Sequence, residues 1–261
     1  MKKVIASALL AAAVASSAFA ASSGDIILGF RATGGTGASS NLEIDLGNFD
    51  ALPSGGGTVV LTNIDSDLNN TYGSDWATRS DVLWGAAGST LLGATGNTEP
   101  SRTLVGTVLA PSSLLDGTST TTPYNSAAAA TQGGVATKIN AIYNTFTGTA
   151  NNVVSSSSTT SWTTEVGTTP AAFNFFFKTS FDNNLDLATT SASGTYSAGD
   201  LYELVPASGA GAFLGTLAVQ SNGDVTFSTF SAVPESSTYA VILGSCVLGF
   251  VALRRRKQVV A

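Results

Sequence analysis

Short apolar runs of period two, cut every few residues by glycine, serine or asparagine, constrain this chain more than any other feature. In Asn41-Leu42-Glu43-Ile44-Asp45-Leu46, the apolar Leu42, Ile44 and Leu46 fall on one side and Glu43 and Asp45 on the other. That alternation is the mark of a strand with one buried face. Residues 25–31, 58–64, 81–85, 102–109, 173–177, 201–205, 213–219 and 224–230 read as further strands, rich in β-branched and aromatic side chains. Residues 34–40 suit a hairpin loop, and Asn222-Gly223 suits a two-residue turn. Helix is scarce. Residues 65–72 read as a short helix capped by an aspartate. Residues 134–146 carry Val135, Ile139, Ile142 and Phe146 on one helical stripe, with Ala136 and Lys138 turned away. Residues 155–158 read as a polar linker. The expected fold is mainly β: an antiparallel, sandwich-like domain over residues 21–232 with a short helix or two. A domain of about 210 residues buries a substantial core without disulfides.

The two ends read as addresses. Met1-Lys2-Lys3 is a basic start, residues 4–15 are apolar, and Ala18-Phe19-Ala20 is a small-x-small cleavage site. Residues 1–20 are thus expected to be a signal peptide, removed ahead of Ala21. At the other end, Val233-Pro234-Glu235-Ser236 precedes an apolar run over residues 239–253 and the basic cluster Arg254, Arg255, Arg256 and Lys257. As a helix that run is about 22 Å long, against a hydrocarbon core of about 30 Å. Snorkelling arginines and local thinning make up the difference. Pro234 stops a helix from running back into the domain, and the basic cluster favours a cytoplasmic end. A C-terminal transmembrane helix is therefore expected, holding a precursor in the inner membrane with the β domain exported.

Residues 233–258 resemble the sorting signal of the PEP-CTERM proteins, in which a Pro-Glu-Pro-like motif precedes a short membrane helix and an arginine cluster. Pro234 and Glu235 occupy the first two motif positions, and Ser236 stands where the second proline is expected. The resemblance implies processing by signal peptidase and then by an exosortase, with the mature form at the cell surface or outside the cell. Residues 25–31, the segment from Tyr72-Gly73-Ser74-Asp75-Trp76 to Trp84-Gly85, and residues 201–230 also resemble a passenger domain of exported PEP-CTERM proteins. No catalytic role comes with that likeness.

Charge and composition narrow the chemistry further. Six of the 11 basic residues lie in the two terminal segments, so residues 21–233 hold five basic and sixteen acidic residues. Such a surface repels a phosphate backbone, and no nucleic-acid partner is expected. The chain has no histidine, and its one cysteine, Cys246, lies in the apolar tail. A His-based acid–base centre and a His or multi-Cys metal site are excluded. Gly209-Ala210-Gly211 fails as a dinucleotide fingerprint, with Leu214 at the third glycine position. No phosphate-loop lysine or nucleophile elbow occurs. Asp65-x-Asp67-x-Asn69 resembles the opening of a calcium loop, yet Asn70 and Trp76 occupy its glycine and glutamate positions. No cofactor and no catalytic residue are expected. Trp76, Trp84 and the phenylalanines of residues 173–177 read as core, whereas Trp162, in a polar segment, is either core or an exposed ligand-stacking ring. The expected function is a structural or adhesive surface or extracellular matrix protein, with a polysaccharide matrix as partner. The alternative is a carbohydrate-binding or carbohydrate-active protein using Trp162, acidic side chains and calcium.

Overall fold

Gly34 to Ser39 reverse the chain between two strands that share one hydrogen-bonded ladder, Phe30 opposite Leu42 and Leu28 opposite Ile44. The computed structural model describes residues 21–91, 99–109, 126–167, 183–184 and 196–229. The strands are β1 (Asp25–Ala32), β2 (Ser40–Asn48), β3 (Gly57–Asn63), β4 (Val82–Ser89), β5 (Leu104–Leu109), β6 (Asn151–Ser155), β7 (Asn183–Asn184), β8 (Tyr196–Leu204), β9 (Ala212–Gln220) and β10 (Asp224–Thr229). The helices are α1 (Asp65–Tyr72) and α2 (Ala129–Tyr143). All pairings are antiparallel, in the order β3-β10-β9-β8-β5-β4-β1-β2-β6, with β7 on β4.

This corrects the sandwich. One continuous sheet curls into a half-barrel around its own side chains, and among the described residues no second sheet lies opposite. Bulges help produce the curl: register shifts interrupt β1–β2 at Asp25/Ile27, β8–β9 at Leu201/Tyr202 and β10–β3 at Val225/Thr226. An extra residue on one strand bends it and raises the local twist. The inner face gathers Ile26, Leu28, Phe30, Leu42, Ile44, Trp84, Leu217 and Phe227. Helix α1 plugs the open side. It leaves β3 through buried Ile64, sinks Leu68 and Tyr72 into the inner core, and its Tyr72 hydroxyl accepts from the Leu42 amide at 3.2 Å. Asp67 on its outer side accepts from Asn151 of β6 at 2.6 Å. The expected aspartate cap is absent: Ile64 is the cap residue, and Asp65 receives the Trp76 indole N–H at 3.2 Å.

Helix α2 covers the outer face. Val135, Ile139 and Ile142 meet Ile27, Ala87, Leu104, Tyr202 and Leu204 there, and the Tyr143 hydroxyl donates to the Asp25 carbonyl at 2.6 Å. The expected stripe is present, but Ala136 is buried with it, and the helix starts five residues before the expected Gly134. Gln132 explains the early start. Its side chain accepts from the Ala127 amide at 2.8 Å and donates to the carbonyls of Arg102 and Leu204 at 3.0 and 2.8 Å, so it ties the first turn to two strand ends.

The expected membrane anchor is also corrected. No helix among the described residues is long and apolar enough to cross a membrane; α2, with 15 residues, packs on the sheet instead. The placement of a precursor in the inner membrane, and the surface location drawn from it, lose their structural basis. Residues 1–20, the strand expected at residues 173–177, and residues 230–261 with the run 239–253 lie outside the described residues.

Candidate functional site

The most concentrated chemistry among the described residues lies on the outer face of β1 and β2. Glu43, on the side of β2 opposite Leu42 and Ile44, is 0% exposed. Sequence alternation placed it in solvent. It is buried because residues 151–167 return as a strap over this face: β6 pairs with the edge of β2, and a π turn (Thr163–Gly167) follows. Glu43 accepts from the Trp162 amide at 2.8 Å and from the Thr145 hydroxyl at 3.0 Å. Asn41 clamps the next residue twice, donating to the Thr163 hydroxyl and accepting from its amide, each at 2.8 Å. Lys138 of α2 pairs with Glu165 at 2.7 Å.

Trp162 itself is 0% exposed, beside Ala87, Ile139 and Tyr202 in the outer core. Its ring lies against β1 at Gly29, where a Cβ would fall inside the indole. The stacking role for Trp162 is therefore corrected: a fully covered ring presents no face to a sugar. Trp76 and Trp84 belong to the inner core, and the Trp84 indole donates to the Ser197 hydroxyl at 2.8 Å.

Burial, partly opposed by the two donors, pushes the Glu43 carboxyl up to about 7. Asp45, on the same strand, is raised to about 6 by burial, against a bond from the Gly47 amide and with the Asp25 charge adding to the rise. Burial raises Asp25 as well, despite its bonds from Ser22. A second acidic spot lies at the inner-face end of β8, where Glu203 faces Val105 in the register. Burial, then the neighbouring Glu99 carboxylate, lifts Glu203 to about 7. A carboxyl whose hold on its proton is strengthened by burial is one component that general acid–base chemistry uses. No group of three or more His, Cys, Asp or Glu able to hold a metal occurs among the described residues. Asp65 and Asp67 do not converge, one serving Trp76 and the other Asn151.

These shifts fix the sign of the pH dependence. A carboxyl raised from 4.5 to about 7 holds a proton in the folded state that the unfolded chain has lost. Stability is full below pH 4.5 and falls as pH rises through 7; for Glu43 the loss is about 3 kcal/mol. Urea midpoints at pH 5 and pH 8 should show the drop, and Glu43→Gln should remove most of it.

Of the other expected site residues, Ala21 is buried in the outer core. Ala18, Ala20, Val233, Pro234, Glu235, Ser236, Arg254, Arg255, Arg256 and Lys257 lie outside the described residues. Sequence reading missed Glu43 as a site residue. The available signal was Trp162: a single large ring in a serine- and threonine-rich stretch needs a buried seat, and β2 supplies the polar partners beside it. In comparisons with known proteins, no family model, no curated protein and no solved structure matches the chain. The signal peptide, PEP-CTERM membership and membrane or secreted location read from the two ends accordingly find no support there.

Proposed function

We propose that this chain is a structural or adhesive, non-catalytic protein that associates with copies of itself along the β3 edge of its sheet. One observation carries the reading: β3 is exposed from Gly57 through Val60, with Val59 38% and Val60 60% accessible. An edge strand offers a row of unpaired amides and carbonyls, and monomeric proteins usually guard it with charge or proline. Gly57–Asn63 has neither. The bulge opposite Val225/Thr226 leaves the run of residues 57–60 regular, and antiparallel pairing of that run with its twin brings β-branched Thr58, Val59 and Val60 together across the junction.

The strong acidic excess of residues 21–233 opposes association at low salt, so pairing should strengthen as salt screens it. Sedimentation velocity should show concentration-dependent growth that is larger at about 0.5 M than at about 0.05 M salt. Val60→Lys should hold the chain monomeric without changing its urea midpoint. A wild-type chain that stays monomeric throughout would remove the reading.

The likeness of residues 233–258 to a sorting signal supports a second element of the same reading, an exosortase acting near Pro234 and Glu235. Intact mass of protein from cells with and without that enzyme checks it. Loss of the peptide from about residue 234 only where the enzyme is present is expected from the resemblance. An unchanged tail in both removes the exosortase and leaves edge pairing to be judged by sedimentation.

A further inference from the structure

The outer face carries a device that neither the fold class nor edge pairing requires. Residues 151–155 are held on it by the β6–β2 ladder. Residues 156–167, beyond that ladder, are fastened to β2 and the loop before it by Ser156 N–H to the Ser39 carbonyl at 2.9 Å, Trp162 to Glu43, and Thr163 to Asn41. The Lys138–Glu165 pair fastens their far end to α2. At the centre sits Glu43, fully buried, whose bonded partners are two neutral donors.

We propose that Glu43 is a proton-operated latch: its neutral carboxyl holds the 151–167 strap and Trp162 on the sheet, and loss of the proton releases them.

The proton has a defined place. In the neutral form one Glu43 oxygen still accepts from the Trp162 amide. A proton on the other reverses the 3.0 Å bond that Thr145 donates to the charged carboxylate, so that Glu43 donates to the Thr145 hydroxyl. Thr145 then gives its own proton to the Ile142 carbonyl, 2.8 Å away. Every polar group in that chain is satisfied. In the ionised form a full charge is left with two neutral donors in a dry site, which favours its exposure to water. The surrounding charges do not offset this. Asp45 on β2 and Asp25 on β1 are acidic, Tyr143 on α2 is neutral, and Lys138 is bound to Glu165 of the strap. The further cations at this end of the ladder, among the described residues, are Arg31 of β1, opposite Asn41 in the register, and Arg79, which is bound to the Gly34 and Thr36 carbonyls of the β1–β2 loop and to Asp81. The strap is the element free to yield, because β1, β2 and β4 are locked in the sheet on both sides whereas β6 is an edge strand.

Opening exposes Glu43 and restores its ordinary affinity for a proton, so the closed-to-open ratio should fall about tenfold per pH unit between the open and closed values. Native-state amide exchange on the full chain, corrected for intrinsic rates and followed from pH 5 to 8, reads this directly. Peptides within residues 156–167 should lose protection with that slope up to about pH 7 and level off above it. Peptides from β9 and β10 should not follow. Glu43→Gln, whose amide nitrogen donates to Thr145 while its oxygen accepts from Trp162, should keep the strap protected at every pH. Asp45→Asn should leave the slope in place. Carbon-detected titration of the Glu43 carboxyl in the wild-type chain gives an independent reading and should show the same midpoint. A strap whose protection is flat with pH, a Glu43→Gln chain with the wild-type slope, or a loss shared equally by β9 and β10 would each overturn the latch.

Discussion

Alanine at Gly29 is expected to cost about 3 kcal/mol, a large effect for a single added methyl group. The residue is in the middle of β1, where alanine would ordinarily be preferred to glycine. Here the sign reverses because the new Cβ would occupy the space of the Trp162 ring. The ring cannot step aside cheaply, since the Trp162 amide is bound to Glu43 and its neighbour Thr163 to Asn41. Trp162→Ala should cost about 3–5 kcal/mol through the cavity it leaves. The double variant carries the argument. If the two sites meet as described, adding Gly29→Ala to Trp162→Ala should cost nothing further, and its methyl should fill part of the void. Urea unfolding of the four proteins gives the coupling. Equal costs for Gly29→Ala with and without the indole would show that the ring is not what the glycine accommodates.

Arg79→Ala is expected to cost about 2–3 kcal/mol, from a part-buried ion pair and several charge-assisted bonds lost together. The guanidinium joins three separate pieces of chain. It donates to the Gly34 and Thr36 carbonyls of the β1–β2 loop at 2.9 and 2.8 Å, to the Tyr72 carbonyl at the end of α1, and through Nε to Asp81 at 3.0 Å. The Arg79 side chain is only 10% exposed, so water replaces its inner bonds to Gly34 and Tyr72 poorly. Arg79→Lys should recover less than half of the loss, because a point charge on a flexible stem cannot serve a forked carboxylate and three carbonyls together. The Asp81 carboxyl is held below its ordinary range by its bond to Arg79. This contribution is present above the ordinary value of 3.8 and is lost as pH falls through the lowered one, opposite in sign to that of Glu43. Full recovery by lysine, measured by thermal and urea unfolding, would reduce Arg79 to simple charge.

Much of the strand content was legible. β1, β2, β4, β5, β8, β9 and β10 all fall on runs read from alternation or β-branched content, and Asn222-Gly223 does turn β9 into β10, with Gly223 at φ +80°. β6 was not legible. Asn151–Ser155 has the composition of a loop, and it is a strand because the edge of β2 offers Asn41 and Leu42 as partners for Val154 and Val153. Glu43 was misread for the related reason that alternation reports which residues share a side, and says nothing about what later covers that side.

The sequence by itself determined the local grammar: where the backbone extends, where it turns, that helix is scarce, and that the interior must be built without histidine or disulfide chemistry. These follow from side-chain spacing and from the φ preferences of glycine and asparagine, which act within a few residues. Only the tertiary structure decided that ten strands form one curled sheet, that α1 plugs it, and that Trp162 closes over Gly29 and Glu43. Those outcomes depend on contacts between segments more than a hundred residues apart, such as Trp162 with Glu43. Bulges, dry carboxyls and the fit of one ring over one missing Cβ set their energies, and none of these leaves a period in the chain.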